Sequence, residues 1–366
     1  MRATADRAGV RRYGRPVATS EQTTDPGACT EPEITDPVAL CRPNGRLAPE
    51  AVGWARRPLI DCALPGSWGR RKRWDFWAVT GPGFAMNITY ANVDVGGLVS
   101  VWFRDLAAGE ETSFDRVIPL ARGMHMEPRA GQGEVGWASS AARLRIRDHE
   151  EGTTLELGFP TANGHFSAEV LAQRPEGHES LTVVIPWSET RFQCTTKDVA
   201  RPASGWISWG TRAWDLTADG EHWACLDFGR GKWPYRTTWN WGAAAGTVDG
   251  RRIGLQLGGK WTDGTGMTEN ALFVDGRLSK ISEELVWEYD TSDWLAPWRI
   301  RTPRSDRVDV TLTPVHDKVT RIQAGIVESR VDQCFGTFAG RIVPDDGAAI
   351  EVADLFGWAE EAHWRW

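Results

Sequence analysis

Several absences in the sequence narrow the classes of protein it can encode. No window approaches the roughly 20 consecutive apolar residues that a membrane-spanning helix needs, so we expect no transmembrane segment. The 42 basic residues are outnumbered by 49 acidic ones, giving a net charge of −7. Because binding to phosphates needs a basic face, this balance argues against nucleic acid as a main partner.

The sequence also lacks signals for secretion, metal binding and cofactor binding. The N-terminus has no apolar segment of the secretory kind, so we predict a cytoplasmic protein. The six cysteines form no CxxC pair and are interpreted as mostly reduced and buried, with a bridge from Cys41 to Cys29 or Cys62 as the alternative. His125 and Glu127 have no third ligand nearby, and no phosphate-binding or dinucleotide fingerprint occurs. We therefore predict neither a metal nor a cofactor.

Helical periodicity is nearly absent, and strand patterns occur throughout the chain. Arg73–Asp105 alternates apolar and polar residues between glycine-rich breaks, which predicts a three-stranded meander. Asp249-Gly250 and Asp275-Gly276 lie between alternating runs, the strongest short-range signal for a hairpin. Only short edge segments and part of the C-terminal stretch 352–366 look helical. The sequence thus predicts an all-β fold with short helices at its edges.

A short internal repeat indicates how these strands are organised. Trp74-Asp75-Phe76 opens the first meander, and Trp239-Asn240-Trp241 opens a second one about half a chain later. This pattern predicts two up-and-down antiparallel β-barrels packed together. We assign residues 1–37 to a flexible arm, 38–195 to the first barrel, and 196–366 to the second barrel with a short C-terminal helix.

Tryptophan is unusually frequent, with 21 residues against only 4 tyrosines. A tryptophan ring is large and its N–H needs a partner, so it suits the wall of a cavity better than a tight core. Ordinary filling of the barrels is the alternative for any single ring. The candidate pocket walls are Trp74, Trp77, Trp239, Trp241 and Trp261.

The loop Lys260–Asn270, between the two predicted hairpins, carries more hydrogen-bonding groups than a simple connection needs. Asp263 and Glu269 are candidates for a general acid and its electrostatic partner. Asn270 is a candidate for orienting either acid or a substrate oxygen, and Lys260 for binding substrate. A loop held together by its own side chains is the alternative.

Asp227 lies in a predicted strand on the same face as Trp223 and Cys225. An acid on an apolar face is either a pocket acid or the partner of a nearby cation such as Arg230, which we also list as a candidate for binding substrate. A pocket acid kept protonated by burial can add a proton to a carbon–carbon double bond. We therefore predict a catalytic role for Asp227.

Two resemblances accompany these patterns. The segments GRGKWPYRTTWNW, GGKWTDGTGMTEN and FGWAEEAHWRW resemble a family of uncharacterised proteins known as a domain of unknown function. More distantly, the stretch from His222 to Leu257 resembles carotenoid 1,2-hydratases, which are similar in build to tocopherol cyclases and lipocalin-type Diels–Alderases. That resemblance implies two calycin (lipocalin-like) barrels with an apolar pocket at their junction. Asn240 stands where the hydratases have an aspartate, and Phe228 where they usually have a histidine.

Three functional hypotheses follow. The first is a cofactor-free lyase or isomerase that hydrates, cyclises or shifts a double bond in a lipophilic small molecule, with Asp227 or Glu269 as the acid and Asp263 as its partner. The second is a non-catalytic carrier of a lipophilic ligand, for which the same barrels and tryptophans would serve. The third is a carbohydrate-active protein with two carboxylates and aromatic platforms.

Overall fold

The computed structural model describes residues 27–217, 220–324 and 327–365. Within these ranges the chain forms 24 strands and one short 3₁₀-helix, Pro49–Ala51, and no α-helix. The strands are β1 (Val38–Ala39), β2 (Trp54–Ala55), β3 (Ile60–Asp61), β4 (Lys72–Gly81), β5 (Phe84–Asn92), β6 (Gly96–Asp105), β7 (Glu110–Pro119), β8 (Glu134–Ala138), β9 (Arg143–His149), β10 (Gly152–Thr161), β11 (Gly164–Gln173), β12 (Leu181–Ser188), β13 (Arg191–Trp209), β14 (Arg212–Asp215), β15 (Trp223–Lys232), β16 (Arg236–Val248), β17 (Arg251–Gly259), β18 (Asn270–Val274), β19 (Arg277–Ile281), β20 (Val286–Glu288), β21 (Trp298–Arg301), β22 (Val308–Ala324), β23 (Val327–Ile342) and β24 (Ile350–Arg365).

The strands form two large antiparallel sheets, and β1 and β3 form a small parallel pair. The first large sheet has 13 strands and contains β4 to β15 together with β2. The second has 9 strands, β16 to β24. Each sheet curls around an apolar core of its own, and a third apolar cluster lies between the two sheets. The predicted all-β fold of two packed lipocalin-like barrels is confirmed.

The two sheets repeat one strand arrangement. Each begins with a four-stranded meander, β4–β7 in the first sheet and β16–β19 in the second. The last strand of each sheet in chain order returns to pair with the first strand of its meander: β15 with β4, and β24 with β16. Further strands follow on the far side in reverse chain order. Trp74 in β4 and Trp239 in β16 therefore hold corresponding places, which supports the internal repeat.

Both predicted Asp-Gly hairpins occur. Asp249-Gly250 joins β16 to β17, and Asp275-Gly276 joins β18 to β19. All four residues have positive φ, between 50° and 81°. A two-residue turn with this left-handed conformation matches the right-handed twist of the flanking strands, and aspartate followed by glycine tolerates it well.

The predicted C-terminal helix is wrong, because Ile350–Arg365 is the strand β24. This strand lies between β16 and β23, and its residues 357–362 are buried without interruption. Val352 and Ala359 face the core of the second barrel, whereas Trp358 faces the cluster between the barrels. With apolar residues on both sides, the alternation typical of a strand is masked in the sequence.

The change from one sheet to the other occurs between Lys232 and Arg236, whereas the predicted boundary after residue 195 falls inside β13. The division into domains stays a prediction. Of the predicted arm, residues 1–26 lie outside the described residues. Farther along, Glu31 is buried and pairs with Lys280 of the second barrel at 2.8 Å.

All six cysteines are free, and four of them are buried. Across the described ranges, no helix has the length and apolar character needed to cross a membrane. The cytoplasmic location stays a prediction.

Candidate functional site at the junction of the barrels

The faces on which the two barrels pack together enclose a group of ionisable side chains. We call this region the junction: β4, β13 and β15 on one side, and β16, β17 and β24 on the other. Its cluster is otherwise apolar and rich in tryptophan. The ionisable side chains are Lys197, Asp227, Glu269 and Glu360, each at most 9% exposed.

Lys197 contacts acidic groups from both barrels. Its Nζ lies 3.0 Å from Oδ1 of Asp227 and 3.3 Å from Oε2 of Glu269. The same ammonium lies 4.3 Å from the centroid of the Trp241 ring, a cation–π contact. Asp227 belongs to the first barrel and Glu269 to the second, so one ammonium group links two carboxyls across the junction.

Asp227 is positioned by hydrogen bonds within the first barrel. Its Oδ1 accepts a hydrogen bond from Thr195 Oγ1 at 2.9 Å, and its Oδ2 accepts one from Trp74 Nε1 at 3.1 Å. A side chain at Gly229 would bring its Cβ within 2.1 Å of the Trp74 ring, so only glycine lets that ring reach Asp227. Together with Lys197, these donors occupy both oxygens of the carboxyl group.

Glu269 comes from the end of the loop Lys260–Asn270 and reaches back over β17. Its Oε1 accepts a hydrogen bond from Trp261 Nε1, a residue of the same loop. A Cβ at Gly258 would lie 2.3 Å from the Glu269 side chain, so this glycine leaves the room that the carboxyl occupies.

The backbone next to Glu269 is anchored from a distant part of the chain. Both N and Oγ1 of Thr268 donate to Oε1 of Glu31, at 3.0 and 2.9 Å. Lys280 Nζ pairs with the other Glu31 oxygen and donates to Thr268 Oγ1 at 2.7 Å. This buried pair fixes the end of the loop and, with it, the position of Glu269.

Five tryptophan rings cover the carboxyls. Four of them surround the fifth, Trp233, with ring centroids 5.1 to 5.8 Å from its own. The other four are Trp74, Trp187, Trp239 and Trp261. Three of the five were predicted from the sequence; Trp187 and Trp233 were not.

Burial and charge set the proton affinities of the site. Burial raises the pKa of Glu269, and Asp227 adds to this, whereas Lys197 opposes it. Burial also raises the pKa of Glu360 to about 7, against the hydrogen bond from Trp239. Burial disfavours the charge on Lys197, but its carboxylate neighbours outweigh this and raise its pKa to about 12. The ammonium therefore stays charged, while Glu269 and Glu360 hold their protons more strongly than carboxyls in water do.

Two predicted residues lie on the other face of the first sheet, inside the first barrel. Trp77 is three positions from Trp74, and Arg230 is three positions from Asp227, so the period of two along a strand turns them away from the junction. Arg230 pairs with the buried Asp75 at 2.9 Å, and burial raises the pKa of Asp75.

Lys260 and Asp263 also lie apart from the buried carboxyls. Lys260 Nζ donates to Tyr289 Oη at 2.7 Å and pairs with Glu361, on the face of the second sheet that turns away from the junction. Asp263 is exposed and accepts a hydrogen bond from the backbone N of Lys260 at 3.0 Å. The Asp263 contact is of the kind expected for a loop held by its own side chains, whereas Lys260 contacts residues outside the loop.

The side-chain amide of Asn270 binds backbone. Its Oδ1 accepts a hydrogen bond from Gly258 N at 2.6 Å, and its Nδ2 donates to Glu283 O at 2.9 Å. Asn270 therefore positions β17 beneath Glu269 instead of contacting a carboxyl of the junction.

Two ionisable members of the site were also missed in the sequence. Lys197 belongs to an alternating polar series with Gln193 and Thr195, which an analysis of charged residues on strand faces could have found. Glu360 was missed because its segment looked helical.

The junction contains little empty space in this conformation. A cavity of about 10 Å³ lies among residues that include Val199, Ala244 and Trp358. A second cavity, of about 20 Å³, lies inside the first barrel beside Asp75 and Arg230. Each has room for about one water molecule, so an organic ligand needs side chains of the junction to move. In the parts of the chain described, no group of three or more His, Cys, Asp or Glu residues is arranged to hold a metal.

Comparison of the sequence with protein families identifies one family. The chain belongs to the family described as a domain of unknown function, DUF2804, whose pattern matches residues 31–366. The predicted resemblance to an uncharacterised family is thereby confirmed. None of the curated proteins compared with the chain matches it in sequence.

Solved structures that match the fold of this chain include CghA and a hydratase. CghA with Sch210972 has a TM-score of 0.49 and 11% identity, covering 81% of this chain and 88% of that one. CghA without that compound has a TM-score of 0.47 and 12% identity over the same shares. Kievitone hydratase from Nectria haematococca has a TM-score of 0.41 and 9% identity, covering 81% of this chain and 88% of that one.

Proposed function

We propose that the protein is a cofactor-independent enzyme that uses buried carboxyl groups to hydrate, cyclise or isomerise a lipophilic small molecule at the junction. The observation that carries this proposal is the buried group of Lys197, Asp227 and Glu269 within an otherwise apolar cluster. Catalysis by proton transfer needs carboxyls whose proton affinity differs from that in water, and the junction supplies this through burial.

A purely structural role for these charges is the competing explanation. Buried ion pairs are often no more stabilising than apolar residues of the same volume, so joining two barrels does not require one. The partial exposure of three tryptophans supports a site that admits substrate. Trp74, Trp187 and Trp239, at the edge of the site, are only half-buried. Movement of these rings would open a route to the carboxyls.

The chemical roles follow from the surroundings of each group. Asp227 and Glu269 exchange protons with the substrate, and the Lys197 ammonium opposes the rise that burial causes in the pKa of Glu269. The faces of Trp241 and Trp261 stabilise positive charge that develops on a carbon skeleton during protonation. The catalytic role of Asp263 remains a sequence-based prediction, and no contact among the described residues supports it.

The burial of the carboxyls favours this proposal over the carbohydrate hypothesis. A glycoside hydrolase holds its two carboxyls on either side of a sugar, in a cleft that admits the chain. Asp227 and Glu269 instead lie within 3.3 Å of one ammonium group and are covered by tryptophan rings.

The proposal is tested by identifying what the protein binds in its own host. Wild type, Asp227→Asn and Glu269→Gln are purified from that host, extracted with organic solvent and analysed by mass spectrometry. Glu283→Gln is the matched control, because Glu283 is a buried glutamate of the second barrel that contacts Arg304.

A lipophilic compound that accumulates in the Asp227 or Glu269 variant, and is converted by wild type and the Glu283 control, would identify the substrate. Equal retention of the unchanged compound by all four proteins would contradict catalysis and favour a carrier. A carbohydrate bound by wild type would contradict the lipophilic site.

A further inference from the structure

A second tryptophan–carboxyl pair faces the junction from the second barrel. Trp239 Nε1 donates to Oε1 of Glu360 at 2.9 Å. In the first barrel, Trp74 Nε1 donates to Oδ2 of Asp227 at 3.1 Å. Both carboxyls are buried, and both tryptophans open the first strand of a meander.

The register of the sheets shows that the two carboxyls are equivalent positions of the internal repeat. Phe76 is the partner of Asp227 across β4 and β15, and Trp241 is the partner of Glu360 across β16 and β24. The rings of Phe76 and Trp241 are in edge contact, with centroids 5.5 Å apart. The two carboxyls therefore flank one aromatic contact from opposite barrels.

The two equivalent positions differ in their counter-ion. Asp227 is paired across the strands with Lys197, and the corresponding partner of Glu360 is the neutral Gln333. Gln333 accepts a hydrogen bond from Asn87 Nδ2 at 2.6 Å and brings no charge. Among the residues that the structure describes, no cationic nitrogen lies within ion-pair distance of Glu360. Within the described residues, Asp227 thus has a cation as ion-pair partner. Glu360 has the hydrogen bond from Trp239 but no such cation.

We propose that Glu360 is the proton donor of the junction and that Asp227, held by Lys197, is the proton acceptor. This rests on the proposed function and assigns a direction to its proton transfer. Burial supports the assignment because it raises the pKa of Glu360, and Asp227 adds to this. The hydrogen bond from Trp239 and the charges of Lys318 and Lys197 oppose the rise without outweighing it. With a pKa of about 7, Glu360 holds a proton in a large fraction of molecules near neutral pH.

The step balances without an oxidant or a reductant. The π electrons of a substrate double bond form a C–H bond with the proton of Glu360. Asp227 removes a proton either from an attacking water, which then forms a C–O bond, or from a neighbouring carbon, whose C–H electrons form the new double bond. Exchange with solvent then returns the proton to Glu360 and removes the one on Asp227.

Infrared spectroscopy tests the protonation state without any substrate. Wild type is titrated from acidic to basic pH, and the band of a buried protonated carboxyl should disappear around pH 7. This band should be missing in Glu360→Gln and present in the control Glu283→Gln. Glu360→Asp, which keeps the acid on a shorter side chain, should retain a band at a shifted position. Burial also raises the pKa of Glu269 and Asp75, so the assignment rests on the band component that disappears around pH 7. A component that still disappears around pH 7 in Glu360→Gln, or no such component in wild type, would overturn the assignment.

Turnover of the compound from the extraction experiment separates this proposal from the function on which it rests. Glu360→Gln should lower kcat at least about 100-fold, a typical loss for a general acid, and Glu360→Asp should restore part of it with a shifted basic limb in the pH profile. Loss of turnover in Asp227→Asn but not in Glu360→Gln would overturn the role of Glu360 and leave the proposed function standing. Full turnover in both variants would remove the proposed function as well.

Discussion

Glu360 and Glu361 are neighbours in β24, yet they lie in opposite electrostatic environments. Glu360 faces the junction, where burial raises its pKa to about 7. Glu361 faces the other side of the same sheet. Burial opposes its charge there too, but hydrogen bonds from Lys260, Tyr289 and His363 outweigh it and lower its pKa to about 2.

The comparison shows that the hydrogen-bond donors and cations around each glutamate decide whether the effect of burial on its pKa is outweighed. Each glutamate is less than 10% exposed. Glu361 lies beside an ammonium group, whereas the strand partners of Glu360 are the uncharged Trp241 and Gln333. One side of the second sheet therefore carries a stable carboxylate, and the other carries a group able to release a proton.

Removing the lysine beside each face of the second sheet should give the largest difference in the free energy of unfolding. Lys197→Met leaves Asp227 and Glu269 buried without their ammonium partner, and we expect a loss of about 3–5 kcal/mol in the free energy of unfolding at pH 7. Lys260→Met, the matched control on the half-exposed side, should cost about 1 kcal/mol or less. Denaturant unfolding measures both; equal losses would contradict the special status of Lys197.

Neutralising each glutamate should change the pH dependence of stability in opposite directions. The folded-state pKa of Glu360 is raised above its ordinary 4.5. Its contribution to the free energy of unfolding is therefore fully present below pH 4.5 and is lost as the pH rises through about 7. Glu360→Gln should therefore be more stable than wild type at pH 8, by on the order of 2 kcal/mol.

The pKa of Glu361 is lowered, so its contribution is present above pH 4.5 and is lost as the pH falls through about 2. Glu361→Gln should be less stable than wild type at pH 7 and should approach it in acid. Unfolding free energies measured from pH 2 to 9 test both variants, with the exposed Glu351→Gln as control. Slopes of the same sign for the two adjacent variants would contradict the comparison.

The two equivalent tryptophan donors should differ more modestly. Trp74→Phe removes a hydrogen bond to a carboxyl that also pairs with Lys197, and should cost about 2 kcal/mol at pH 6. Trp239→Phe removes one to the largely protonated Glu360 and should cost about 1 kcal/mol at that pH. Equal losses at pH 6, measured by denaturant unfolding, would show that the two carboxyls share one charge state.

The smallest effect is expected at Asp263. Its carboxyl is exposed and accepts a loop hydrogen bond, which an asparagine oxygen can also accept. Asp263→Asn should leave the free energy of unfolding within about 0.5 kcal/mol of wild type. A loss above 1 kcal/mol in the same measurement would mean that this loop couples to the buried junction.

The residues predicted from the sequence fall into two groups: those that face the junction and those that face the inside of the first barrel. Asp227 and Trp74 belong to alternating strands, and the period of two correctly put Asp227 on an apolar face. Trp77 and Arg230 belong to the same strands but lie on the opposite faces. Each lies an odd number of residues from its junction neighbour, so the sequence alone predicts opposite faces. Selecting candidates by residue type did not take this spacing into account.

The sequence by itself determined the features that depend on residues close together in the chain. These are the alternating strands, the left-handed Asp-Gly turns and the repeated motif that contains Trp74 and Trp239. Only the tertiary structure decided which charges meet. Lys197, Asp227 and Glu269 come from three separated segments, and Glu360 comes from the strand mistaken for a helix. Coulomb interaction and desolvation act through space, so the protonation of these groups follows from packing that no local pattern records.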